Sequence, residues 1–218
     1  MSYIPQEYWF KHGKTYKEEF QYNKKFELQE KILIGYLKNN LSVYPFSTVF
    51  ELGCGFGRIT KLLLSNFSDI NEYVAIDLSP HQIENAKEFV RPILETKQQN
   101  LNLNFMVSSI QSFQTQKKYD LVLASEVLMH VLPYEIEDIM RKLVGMSNEH
   151  VINIDWYEEP PATKAASHNF IHRYDKIYLN LSQVSSVNRI PITKKGSWLK
   201  SVDTKQSLFH ALVKKSNS

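Results

Sequence analysis

Apolar residues in this chain recur with two different periods, and the two alternate. Between Phe20 and Leu41, the residues Leu28, Ile32, Leu33, Tyr36, Leu37 and Leu41 recur every three or four positions, which predicts an amphipathic helix. Pro45 breaks it, and Thr48–Leu52 follows as a short β-type run ending in a glycine cluster over 53–57. Ile59, Leu62, Leu63 and Phe67 predict a helix behind that cluster, and Glu72–Ile76 a second strand. Ser79-Pro80 then starts another helix, since serine caps and proline suits the first helical position. Leu103–Val107 and Tyr119–Ala124 read as the third and fourth strands, the fourth apolar on both faces as a central parallel strand requires. Pro133 opens a helix with Ile136, Ile139, Met140, Leu143 and Val144 on one face, and Val151–Ile154 is a fifth strand.

Repeated βα units of this length predict a parallel sheet with helices on both sides. The ending differs. Residues 155–175 are polar, aromatic and proline-containing, and a helix holding Ile177, Leu179 and Leu181 follows. Val187–Ile192 and Ser207–Val213 have no helical pattern between them, so they should pair antiparallel. The expected fold is α/β: a three-layer αβα Rossmann-like sandwich whose seven-stranded sheet is mostly parallel, with an antiparallel last strand. Residues 1–45 read as an N-terminal helical cap and 46–218 as the main domain, together one structural unit.

Composition narrows the classes. At 218 residues with 43% hydrophobic content, the chain can bury a large core without disulfides. The single cysteine, Cys54, excludes an intramolecular disulfide framework and a zinc ribbon. No signal-peptide pattern and no run of ~18 apolar residues is present, so a cytoplasmic protein without a membrane span is expected. The net charge of +3 is far from that of a nucleic-acid binder. The basic residues do gather near the end, as Lys194, Lys195, Lys200, Lys205, Lys214 and Lys215 against the lone acid Asp203, which reads as a solvated face in preference to a polyanion contact.

Three of the seven glycines are Gly53, Gly55 and Gly57, between a strand and a helix. Glycine permits a tight turn and close approach of a ligand to the backbone, and the helix start behind it offers unpaired N–H donors. Twenty residues past Gly57, at the end of the next strand, Asp77 is placed to accept hydrogen bonds from both hydroxyls of a ribose. Arg58 stands where a dinucleotide fingerprint needs its last glycine, and the Gly-Lys-Ser/Thr end of a P-loop is absent.

The pattern E-x-G-x-G-x-G, with Glu51 two residues before Gly53, resembles motif I of the class I S-adenosylmethionine-dependent methyltransferases. The resemblance covers roughly 46–215 and includes the antiparallel pair of last strands. It implies S-adenosylmethionine as cofactor, held by Gly53, Cys54 (through its backbone), Gly55, Gly57 and Arg58. Glu51 would organise the loop, Asp77 would hold the ribose, and Leu78 would pack beside the adenine. In the segment Val107–Ile110, which includes Ile110 beside the adenine site, Ser109 stands where the family often has an aspartate for the adenine amino group, and Ser125 lies in the segment Ala124–His130 that matches the motif flanking sulfonium and acceptor. No metal is implied.

Methyl transfer needs positioning of two partners, and a hydroxyl acceptor also benefits from a base, most often histidine. His130, His168 and His172 are the candidates. The i, i+4 pair His168/His172 lacks a third ligand for a metal site. Cys54 lies within the glycine loop, which suits a structural role over a nucleophilic one. Trp9 and Tyr16, from an aromatic-rich start, and Trp156 and Tyr174, from the segment after the fifth strand, are expected to line an acceptor pocket that the N-terminal cap closes. The expected activity is methyl transfer to an oxygen or nitrogen of a small-molecule acceptor, by a monomer or homodimer. Alternatives are an RNA or protein methyltransferase using the basic C-terminal face, and a non-catalytic adenosyl-binding subunit.

Overall fold

The computed structural model describes residues 3–21, 23–41, 46–95, 101–159, 168–195 and 201–214. Three helices come first: α1 (Pro5–His12), α2 (Tyr16–Phe20) and α3 (Lys24–Asn40). They are followed by β1 (Thr48–Leu52), α4 (Arg58–Asn66), β2 (Glu72–Asp77), α5 (Pro80–Leu94), β3 (Asn102–Val107) and β4 (Tyr119–Ser125). A 3-10 turn at Leu128–His130 leads to α6 (Ile136–Gly145), β5 (Ser147–Trp156), α7 (Tyr174–Asn180), β6 (Val184–Lys195) and β7 (Ser201–Val213).

The sheet order is β3-β2-β1-β4-β5-β7-β6. β1 to β5 pair in parallel, and β7 runs antiparallel to both β5 and β6. The expected seven-stranded sandwich is therefore present. Alternation along the strands divides its core. Val49, Leu121 and Leu123 face α3, α4 and α5 with Leu33, Leu37, Ile59, Leu63 and Ile83. Phe50, Val122 and Ala124 face the other way, toward Ile139, Met140, Leu143 and Tyr178 of α6 and α7. Strand order reverses between β1 and β4, which opens a crevice at their carboxyl ends.

Several element boundaries differ from the sequence reading. The helix expected from Phe20 begins at Lys24, and Phe20 ends a separate helix where its ring stacks on Tyr16 at 4.6 Å. β5 is ten residues long because its polar start, Ser147 to His150, pairs with β4 and β7. β6 and β7 extend to 12 and 13 residues as one ribbon. A register shift between Ile192 and Thr193 sets extra residues into β7, where Lys205 adopts φ +58°. Leu179 is 65% exposed, since its place two residues from both Ile177 and Leu181 turns it off the buried side of α7.

Candidate functional site

The glycine loop joins β1 to α4 in left-handed backbone: φ is +67° at Gly53, +53° at Gly55 and +84° at Gly57. A Cβ at Gly53 would lie 2.4 Å from Cγ2 of Val127, so only glycine lets the loop meet the segment after β4. Gly53 and Cys54 donate their N–H groups to the carbonyl of Ile76, at 2.8 and 3.1 Å. Gly55 donates to Oδ2 of Asp77 at 2.9 Å, and Ser79 N–H donates to Oδ1 at 2.8 Å. Burial pushes the Asp77 carboxyl up, and the N–H groups of Ser79, Gly55 and Leu78 pull it back.

Glu51 lies behind the loop, fully enclosed, and accepts from Thr60 Oγ1 at 2.5 Å and Tyr73 Oη at 2.7 Å. Burial raises its pKa to about 7 against these bonds. It thus pins β1 to β2 and α4. The Cys54 thiol is also buried and its pKa is pushed well up, which keeps it protonated and unreactive. Arg58 pairs with Glu30 at 3.1 Å, lies 4.0 Å over the Phe26 ring and donates to Ser125 Oγ at 3.4 Å. It fastens α3 beside the loop.

A cavity opens above Gly53, Gly55 and Asp77, with Leu78 and Ile110 as apolar walls. Ser109 also lines it, but its Oγ is engaged by Ser112, accepting from the backbone N–H at 3.0 Å. On the far side stand Ser125, Glu126 and His130. Glu126 holds φ +57°, unusual for a residue with a side chain, and its carboxylate accepts from the amide of Gln29 at 3.1 Å and from that of Gln206. Gln29 is wholly buried and also donates to Gln206 Oε1 at 2.8 Å, so α3, β4 and β7 meet at one polar knot.

The first helices roof this cavity. Trp9 and Tyr16 line it, and the Trp9 ring stands edge-on to His130 at 4.7 Å. Tyr8 stacks on His168 at 4.6 Å and its hydroxyl meets Nε2 at 3.3 Å. His130 Nδ1 lies 3.0 Å from the backbone carbonyl of His168. A carbonyl only accepts, so Nδ1 carries the proton and Nε2 is the lone-pair nitrogen of the neutral ring. Burial keeps the ring neutral by lowering its pKa to about 4.

The structure thus brings Gly53, Gly55, Asp77, Leu78, Ser109, Ile110, Ser125, His130, Trp9 and Tyr16 to one cavity. Glu51, Cys54, Gly57 and Arg58 support it from behind. His168 contacts the roof and not the cavity itself. His172 and Tyr174 are not brought there: His172 donates Nε2–H to the Val131 carbonyl at 3.0 Å, and Tyr174 is fully buried against Phe209. Both serve core packing. Trp156 ends β5 opposite Gln206, also off the cavity. Residues 160–167 of that segment, and Lys200 and Lys215 of the basic tail, lie outside the described residues. Sequence reasoning missed Gln29 and Gln82, and it did not single out Glu126 within the segment after β4. Gln29 had a signal, a polar residue four before Leu33 on the buried stripe of α3; Glu126 and Gln82 had none beyond proximity to the motifs.

A doubly wound sheet with this loop, this acid and this crevice defines an α/β domain built to hold a nucleoside-containing ligand. Residues 50–149 match the family model described as "Methyltransferase domain", so this stretch of the chain is similar to methyltransferase domains. Among curated relatives, it is 35% identical over 77 residues to malonyl-[acyl-carrier protein] O-methyltransferase 2 of Ilyobacter polytropus, covering 35% of this chain and 27% of that protein. It is 26% identical over 103 residues to Nodulation protein S of Sinorhizobium fredii, covering 47% and 41%. The matched stretch is thus well under two thirds of these relatives' length. The fold resembles N-methyltransferase NodS of Bradyrhizobium japonicum in complex with S-adenosyl-l-homocysteine, with TM-score 0.70, 15% identity, and coverage of 97% and 100%. It also resembles the magnesium protoporphyrin IX methyltransferase of Synechocystis with bound SAM, with TM-score 0.68, 14% identity, and coverage of 98% and 99%. Among the described residues no helix is long and apolar enough to cross a membrane.

Proposed function

We propose that this chain transfers a methyl group from S-adenosylmethionine to an oxygen or nitrogen of a small-molecule acceptor. The observation that carries the reading is the single cavity bounded by the glycine loop and Asp77 on one side and by neutral His130 on the other. The residues fit the cofactor: left-handed glycines leave a cradle, and Asp77 supplies a carboxylate for hydroxyl donors beside it. Leu78 and Ile110 offer apolar faces to a purine. The curated relatives' O-methyltransferase names, and the N-methyltransferase title of a structural neighbour, support the acceptor atom class.

S-adenosylmethionine supplies an electrophilic methyl group, so the protein's task is alignment and exclusion of water. The cap of α1 and α2 excludes water through Trp9 and Tyr16. His130 would accept a hydrogen bond from the acceptor's O–H or N–H at its lone-pair nitrogen, which would orient the attacking lone pair, and would receive that proton once the acceptor has taken the methyl group. Its pKa near 4 makes it a weak base, so orienting the acceptor is the larger part of its role.

The test is titration of the protein with S-adenosylhomocysteine by calorimetry, followed by tritiated-methyl transfer assays on fractionated metabolites, RNA and protein. Saturable binding and label in a small-molecule fraction are expected. No binding refutes the cofactor, and label confined to RNA or protein refutes the acceptor class.

A further inference from the structure

Gln82 is three residues into the start of α5, capped by Ser79, and its side chain is 97% enclosed, with 3% exposure. Its two amide atoms have different fates. Nε2 donates to the backbone carbonyl of Gly13, directly after α1. Oε1 is buried with no hydrogen-bond partner, and it sits 4.0 Å from where a Cβ of Gly55 would be, on the wall of the cavity. A buried carbonyl without a donor is destabilising, so an unpaired one in a ligand cavity marks a place where a ligand donor belongs.

The chemistry of that donor follows from its neighbours. Asp77 and Gln82 Oε1 both lie beside Gly55, and both can only accept. A pair of acceptors side by side matches a vicinal diol, which presents two O–H donors. The roof is tied to the same point. Gly13 packs so closely that a Cβ there would lie 2.2 Å from Ser79 Oγ and 2.7 Å from the Trp9 carbonyl, and Gly13 N–H donates to that carbonyl at 2.8 Å.

We infer that Gln82 is a further ligand-binding residue, whose Oε1 accepts a ribose hydroxyl of the adenosyl ligand while its Nε2 latches the α1 roof through Gly13. This rests on the functional reading above and adds to it that ligand binding and roof closure share one side chain. A bound ribose orients the amide with Oε1 toward the cavity, which keeps Nε2 on Gly13. The roof, in turn, holds Oε1 toward the ribose.

The experiment measures S-adenosylhomocysteine affinity by calorimetry and amide hydrogen exchange across α1 in the wild type, Gln82→Met and Gln82→Glu. Methionine keeps the length and apolar stem and loses both contacts; glutamate keeps an acceptor and loses the latch. Gln82→Met should weaken binding about tenfold, the scale of one hydrogen bond, and speed exchange in α1 with or without ligand. Gln82→Glu should speed exchange with a smaller loss of affinity. Wild-type affinity in Gln82→Met overturns the ribose contact, and unchanged α1 exchange in both variants overturns the latch. If the wild type binds no S-adenosylhomocysteine, the functional reading and the ribose contact fall together, and the exchange arm still decides the latch.

Discussion

Asp77 accepts the backbone N–H of Gly55 at 2.9 Å, so the acid that ends β2 also sets the shape of the glycine loop. Its other oxygen takes the N–H of Ser79 at the start of α5. One carboxylate therefore orients the two elements that flank the cavity. Asp77→Ala should lose a charge-assisted bond to the ligand, roughly 1.5–3 kcal/mol, or about 10- to 150-fold in affinity for S-adenosylhomocysteine. It should also lower the melting temperature, because two backbone donors lose their partner. Asp77→Asn, which keeps an acceptor, should fall between Ala and wild type in both. Calorimetry and thermal melts check this, and equal affinity in all three proteins would show that the ribose is held elsewhere.

His130 and His172 should behave differently on substitution, although both follow from the same sequence signal. His130→Ala is expected to lower turnover ~10²-fold, the scale of a general base, with S-adenosylhomocysteine affinity near wild type. His172→Ala removes a buried donor to the Val131 carbonyl. It should lower the melting temperature and reduce activity only in proportion to the folded fraction. Paired kinetics and melts separate the two, and a turnover loss at His172 without a stability loss would contradict this assignment.

Two glycine-to-alanine changes should have opposite signs. At Gly53 the backbone is left-handed and the new methyl would collide with Val127, so Gly53→Ala should cost at least 1–3 kcal/mol. Gly35 lies inside α3 with nothing within 4 Å of a Cβ, so Gly35→Ala should stabilise by about 0.5–1 kcal/mol. Urea unfolding of the two variants measures both. A stabilised Gly53→Ala would mean that the loop can rearrange away from Val127.

Buried titrating groups should oppose one another in the pH dependence of stability. Glu51 is raised from 4.5 to about 7, so its contribution is fully present below pH about 4.5 and is lost as pH rises through 7. His210, buried and 3.1 Å from His150, is lowered from 6.5 to about 4, so its contribution is present above 6.5 and is lost as pH falls toward 4. Asp155 acts with Glu51, and His130 with His210. Glu51→Gln, which can still accept from Thr60 and Tyr73, removes one of the two opposing sets in part. Its melting temperature should therefore rise more steeply than the wild type's between pH 5 and 7. Parallel melting curves across that range would show that Glu51 ionises normally.

The order of the strands and of the helices from α3 onward, the glycine loop and the acid at the end of the second strand were legible in the sequence. Each rests on local physics: a hydrophobic period, a residue with no Cβ, a carboxylate at a fixed distance along a βα unit. The lengths of β5, β6 and β7 were not legible, because Ser147–His150 and the ends of the last ribbon are polar and become strand only by pairing. The destination of side chains after β5 was not legible either. His172 and Tyr174 read as pocket residues by type, and tertiary packing turned both into the core. Gln29, Gln82 and Glu126 show the same limit from the other side. Each is a common polar residue, and each stands at the cavity or directly behind it because strands and helices distant in sequence bring its partners, Gln206, Gly13 and Gln29, within hydrogen-bond reach. Periodicity tells which face of an element is buried; which polar groups meet there is decided only when the faces are packed together.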